Sequence, residues 1–132
     1  MIERLDPAVP FLQVFDMQTS LKFYCDVLGF QIVDKTDQDW WAMIKLGNAT
    51  LMLNTAYEED KRPASADPRR VRGHRDVSLY FEYLDLDGLH AHLVSKGCDV
   101  HSPANTSYGL RQLSVRDPDG YELCFTAPLE SA

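Results

Sequence analysis

Few residues in this chain of 132 have the types and spacing that chemistry requires. Glu82 and Glu122 are the carboxylates that strand alternation turns toward an open face, and either could serve as a general base. No nucleophile, base and orienting group are spaced to support one another, so such a base would stand alone. The histidines offer no metal site: His90 and His92 are two apart on a helix and lie on different faces, while His74 and His101 fall near loops. Cys25, Cys98 and Cys124 are odd in number and form no C-x-x-C pair, which excludes a disulfide framework and a zinc signature. The expectation is three reduced, packed thiols. What remains is recognition chemistry. Phe11, Trp41 and Tyr80 offer aromatic faces and Glu82 and Glu122 offer charge, so a ring-bearing cation would meet stacking, cation–π contact and ion pairing. Each also has a plain structural use: Phe11 and Trp41 as floor, Tyr80 as a cross-sheet hydrogen bond, Glu122 at the rim of a hairpin.

The elements that must position these residues follow from periodicity. Residues 9–15 alternate as a strand. Asp16 then caps a helix whose apolar positions Met17, Leu21, Tyr24 and Leu28 share one face, and Gly29 ends it. Residues 30–34, 40–46 and 50–54 read as strands, the last two joined through Gly47-Asn48. The first module, 9–55, is therefore βαβββ. Residues 56–75 hold Pro63, Pro68 and Gly73 among many charges, show no apolar periodicity and read as a surface linker. The second module, 76–127, repeats the order: a strand at 77–83, a helix from Asp85 through Leu86, Leu89, Leu93 and Val94 to Gly97, a short strand at 99–102, and a closing hairpin. In that hairpin two alternating runs flank Asp117-Pro118-Asp119-Gly120, with Pro118 fixing φ and Gly120 accepting a positive φ. Asp16 plus 69 is Asp85 and Gly29 plus 68 is Gly97, so the modules agree cap to cap and stop to stop. The fold class is α+β, one domain over 1–132 built from two βαβββ modules.

A strand whose helix covers one face leaves the other face free to curl inward, and two such sheets would form a curved, mixed-sheet cup. Alternation assigns Leu12, Val14, Leu51, Leu53, Leu79, Phe81, Leu123 and Phe125 to the helix side. The opposite parity carries the candidate ligand-binding residues Phe11, Gln13, Trp41, Met52, Asn54, Ser78, Tyr80, Glu82, Gln112, Glu122 and Cys124, with Val9, Met43, Thr50, Ser114 and Thr126 beside them. The helix side is entirely apolar and the cup side is half polar. Buried polar groups need partners, so a half-polar concave face fits a solvated, ligand-accessible surface better than a closed core.

The formal charge of −7 argues against a nucleic-acid backbone as partner, since counterion release needs a basic face. Six of the 13 basic residues, Lys61, Arg62, Arg69, Arg70, Arg72 and Arg75, fall within 56–76, and outside that segment the balance is 7 basic against 15 acidic. The basic run reads as a solvated linker ahead of an anion clamp. The first residues lack a basic, then apolar, leader, and no apolar run is long enough to span a bilayer, so a cytoplasmic location with no membrane partner is expected.

Three stretches together resemble the vicinal oxygen chelate superfamily, which includes glyoxalase I, fosfomycin-resistance enzymes, extradiol dioxygenases and bleomycin-resistance proteins. They are Asp16 to Gly29 with Phe23-Tyr24 and Leu28-Gly29-Phe30, residues 81–89, and Arg116-Asp117-Pro118-Asp119-Gly120. In metal-dependent members the inward ends of the first, fourth, fifth and eighth strands carry His or Gln, Glu, His and Glu. The resemblance maps those positions to Val9, Met52, Ser78 and Cys124, which make no first shell for a hard divalent ion. No metal and no cofactor are therefore expected. The opening run Val9 to Val14 and the Phe125-Thr126-Ala127 end look most like bleomycin-resistance proteins, which the resemblance describes as dimers that sequester a drug without chemistry. It implies a homodimer holding a small molecule in a cup at its interface, with antibiotic resistance as the outcome; the charge of −7 and the mixed aromatic and acidic cup residues make that molecule amphipathic and neutral or cationic. Two alternatives stand beside it. One is a glyoxalase- or dioxygenase-type enzyme, a lyase or oxygenase acting on a small carbonyl, epoxide or aromatic substrate; the other is an interaction module with a vestigial cup.

Overall fold

The computed structural model describes residues 1–129, so residues 130–132 of the expected 1–132 domain lie outside the described residues. They fall into two compact units, the first ending at Pro63 and the second starting at Ala64.

In the first unit, strand β1 (Phe11–Val14) leads into helix α1 (Met17–Leu21), and β2 (Gln31–Lys35), β3 (Trp41–Leu46) and β4 (Ala49–Thr55) complete a sheet of order β1-β4-β3-β2. β1 runs parallel to β4 and the other pairs are antiparallel. Asp16 is the helix cap, its carboxylate accepting from the Thr19 amide and hydroxyl at 3.3 and 2.6 Å. Beyond Leu21 the helix widens into a π-helical stretch, Lys22–Val27, which the residue spacing did not reveal. Gly29 then ends it at φ +97°. The expected apolar stripe is buried at Met17, Leu21 and Tyr24, against Leu12, Val14, Ala42, Ile44, Leu51 and Leu53 of the sheet. Gly47, at φ +59°, makes the two-residue turn that pairs Leu46 with Ala49.

The second unit repeats this order. Strand β5 (Ser78–Glu82), helix α3 (Leu86–Ser95), and strands β6 (Ala104–Asn105), β7 (Leu110–Arg116) and β8 (Glu122–Pro128) form a sheet of order β5-β8-β7-β6, with β5 parallel to β8. Asp85 caps α3 by accepting from the Gly88 amide at 3.0 Å, and Gly97 ends it at φ +82°. Leu86 and Leu93 seat α3 over Leu113, Val115 and Leu123. Arg111 of β7 holds Asp87 of α3 through two nitrogens, at 2.8 and 3.1 Å.

Three details differ from the sequence reading. Val94 is half exposed instead of joining the buried face, because it follows Leu93 directly and the helix turns it away from the side that Leu86 and Leu93 share. The short strand lies at Ala104–Asn105, not 99–102, since only these residues find partners on β7, at Gln112 and Arg111. Pro103, which has no amide hydrogen to donate, stands just before them. Within 56–75 there are a 3₁₀ turn, Glu59–Lys61, and a short helix α2 (Pro68–His74), capped by Asp67 and opened by Pro68 in the first turn. No described helix is long and apolar enough to cross a membrane.

Candidate functional site

Strand register sorts the candidate residues onto the face of each sheet opposite its helix. In the first unit Phe11 stands across from Met52, and Gln13 and Trp41 flank Asn54 on either side. The Asn54 side-chain amide donates to Gln13 Oε1 at 3.2 Å and to the Thr55 carbonyl at 3.2 Å. Phe11 is half exposed, while Gln13, Trp41, Met52 and Asn54 are half-buried. All five expected residues of this unit therefore share one surface, a polar pair set among aromatic and thioether groups.

In the second unit the parallel β5–β8 pair and the antiparallel β8–β7 pair align three rows across the sheet. The first is Ser78, Glu122 and Arg116; the second Tyr80, Cys124 and Ser114; the third Glu82, Thr126 and Gln112. Hydrogen bonds link the rows in one direction. Tyr108 donates to Gln112 Oε1, Gln112 Nε2 to Ser114 Oγ at 3.0 Å, Ser114 Oγ to Cys124 Sγ at 3.5 Å, and Cys124 Sγ to Glu122 Oε1 at 3.0 Å. Ser78 Oγ reaches the same Glu122 oxygen at 2.9 Å, and Arg116 stands 3.7 Å from the other. The chain of donors thus converges on one carboxylate.

That convergence sets the electrostatics. The Cys124 thiol and then the Ser78 hydroxyl hold Glu122 below the usual glutamate range, over an opposing contribution from burial. Burial foremost, with the Glu122 carboxylate adding to it, raises the Cys124 thiol above its ordinary value, so thiol and carboxylate reinforce each other's protonation state. Cys124 is wholly buried. Tyr80, 59% exposed, is pushed up to about 12, first by its hydrogen bond to Tyr108 and then by the neighbouring thiol. Glu122 Oε1 thus accepts two hydrogen bonds while its other oxygen faces Arg116, and burial disfavours the Cys124 thiolate that a nucleophile would need.

Of the six candidates in this unit, Ser78, Tyr80, Gln112, Glu122 and Cys124 enter one network and Glu82 does not. Glu82 is exposed at the far end of β5, and no ion pair engages it among the described residues. Tyr108, Ser114 and Arg116 complete the face. Alternation could find Ser114, but Tyr108 lies in a turn before Gly109, at φ +83°, where no periodicity applies. It is 57% exposed, beside Tyr80.

The four positions to which the resemblance maps metal ligands do not fit a metal, and Val9 lies before β1. Val9 has no side-chain donor atom, Met52 offers a thioether, the Ser78 hydroxyl donates to Glu122, and Cys124 supplies a single thiol. Among the described residues no three of His, Cys, Asp and Glu converge. A separate hollow of about 250 Å³ lies in the first unit, among Asp16, Gln18, Asp37, Trp40, Tyr57 and Arg62. None of the candidate residues lines it. Of its carboxylates, Asp16 is engaged by Arg62 at 2.8 Å and Asp39 by Lys35 and Gln18.

Comparison with known proteins adds three findings. A family model described as "Glyoxalase/Bleomycin resistance protein/Dioxygenase superfamily" matches residues 4–125. The "Bleomycin resistance protein" of Geobacillus stearothermophilus is 29% identical over 134 residues, 94% of this chain and 98% of that protein. Two crystal structures have similar folds. A bleomycin resistance determinant encoded on the transposon Tn5 superposes with a TM-score of 0.72 at 22% identity, covering 96% of this chain and all of that one. A bleomycin-binding protein from Streptomyces verticillus, complexed with copper(II)-bleomycin, gives 0.68 at 25% identity, covering 98% and 100%.

Proposed function

Because the chain belongs to the Glyoxalase/Bleomycin resistance protein/Dioxygenase superfamily, we propose that it is a metal-independent binding protein that sequesters an amphipathic, cationic small molecule in a cup completed by a second copy. One observation carries this reading. On the open face of the second sheet Cys124 and Ser78 donate to Glu122 and Gln112 and Ser114 to their neighbours, while Tyr80, Tyr108 and Glu82 remain presented to solvent. The network links these side chains across the sheet into one platform. The two phenol rings supply stacking surface, and Glu82 supplies the charge that Glu122, facing Arg116, supplies less well. Sequestration needs no turnover, only affinity, and a micromolar Kd, which corresponds to a binding free energy of about −8 kcal/mol, is within reach of two aromatic contacts and one ion pair.

Bleomycin is the first ligand to try, being named for the relative at 29% identity and for the Streptomyces complex. Calorimetric titration should give saturable binding of bleomycin or of another ring-bearing cation in a panel of glycopeptides and aminoglycosides. Tyr80→Ala and Glu82→Gln should each weaken it by about tenfold, or ~1.4 kcal/mol. A panel without a saturable ligand sinks the proposal. The enzymatic members of the superfamily supply the competing reading, a lyase or dioxygenase, and stoichiometric metal in protein purified without chelator would favour it.

A further inference from the structure

The ligand reading leaves α2 and its arginines unused. The helix is fixed by two residues, one turn apart. Val71 packs so closely on the closing hairpin that a Cβ on Gly120 would stand 2.9 Å from its carbonyl oxygen. The His74 ring stacks on Tyr121 at 4.2 Å and 10°, with Nδ1 2.7 Å from the Asp119 carbonyl oxygen. With Val71 and His74 facing the unit, Arg69, Arg70 and Arg72 lie on the remaining faces and Arg75 at the C-cap, all four exposed. Asp67 pairs with Arg69 at 3.6 Å. No carboxylate among the described residues comes within ion-pair distance of Arg72 or Arg75. Like charges three and four apart on a helix repel, and α2 buries no residue fully to offset this.

We propose that this face of α2 is a docking surface for a short, carboxylate-rich segment of another protein. The basic groups on α2 are all arginine apart from His74, and the guanidinium fork pairs with carboxylates through two hydrogen bonds where lysine offers a point charge. Length restricts the occupant. A helix of seven residues is about 10 Å long and meets only a few charges. A nucleic-acid strand would run past it along a chain that outside 56–76 carries 7 basic against 15 acidic residues, whereas an acidic peptide can end where the patch ends.

The test is fluorescence anisotropy of a labelled oligoglutamate peptide titrated with the full chain at low salt, beside an oligothymidylate of equal charge. Saturable peptide binding is expected, weakening as salt rises and falling about tenfold or more in the Arg72→Glu/Arg75→Glu protein. No peptide binding, an unchanged affinity in that protein, or tighter binding of the oligothymidylate overturns the proposal. If charge reversal lowers the thermal midpoint, Arg72→Lys/Arg75→Lys keeps the charge and supplies the reading: weaker peptide binding supports the bidentate surface, and equal binding overturns it. The open face of the sheet takes no part in this assay, so its outcome is independent of the small-molecule reading.

Discussion

Glu122 and Cys124 are chemically the most eligible residues of the second sheet, and they are hydrogen-bonded to each other. The thiol donates at 3.0 Å to a carboxylate that also receives Ser78. Native Cys124 should therefore be the last of the three cysteines alkylated by iodoacetamide at about pH 8, as mapped by mass spectrometry, and should become reactive on unfolding. Its raised value also means that its contribution to stability is present below 9.0 and is lost as pH rises through the folded value. Glu122 has the opposite sign. Its folded value lies below 4.5, so its contribution is present above 4.5 and is lost as pH falls through the folded value. Urea denaturation of Glu122→Gln should show a shallower loss of stability across that acidic window than the parent; an identical slope would refute the charged network. Alternation was enough to put both residues on the same face. The direct bond between them was not legible, because it depends on the exact register of β8 against β5 and β7 and on side-chain rotamers.

At the scale of elements, the local signals with a physical mechanism were readable. Asp16 and Asp85 cap their helices and Gly29 and Gly97 end them at positive φ, because short-range hydrogen bonding and backbone sterics decide such positions. The π-helical stretch after Leu21 and the helix α2 were not readable. The first preserves the apolar stripe while changing the hydrogen-bond step. The second has only Val71 and His74 facing inward, and its support is tertiary. That support gives a prediction at Gly120, which combines φ +90° with a backbone oxygen 2.9 Å from where a Cβ would be. Gly120→Ala should cost about 2 kcal/mol or more in a urea melt, more than a strained turn alone, because the carbonyl of Val71 cannot rotate away as a side chain could. A loss under about 0.5 kcal/mol would mean that α2 does not rest on the hairpin as described.

For the whole molecule, the repeat was the most informative feature of the sequence, and each unit has the same strand order with one parallel and two antiparallel pairings. Fold class followed from it, whereas the superfamily resemblance rested on three stretches, Asp16 to Phe30, residues 81–89 and Arg116 to Gly120. The candidate site was legible as two sheet faces, since period-two alternation survives in every strand that carries it, from Phe11 opposite Met52 to Tyr80 opposite Cys124. Tyr108 escaped because turns have no period, and Glu82 could not be distinguished from Glu122 until the hydrogen bonds showed which carboxylate was engaged. The central claim is binding without a metal, because Val9, Met52, Ser78 and Cys124 cannot make a first shell. Its most direct test is calorimetric titration of the chelator-treated protein with metal-free bleomycin, or with whichever ring-bearing cation binds. The account predicts the same saturable isotherm before and after chelation; a signal that disappears with the metal and returns when Ni, Zn, Mn or Fe is restored would contradict it.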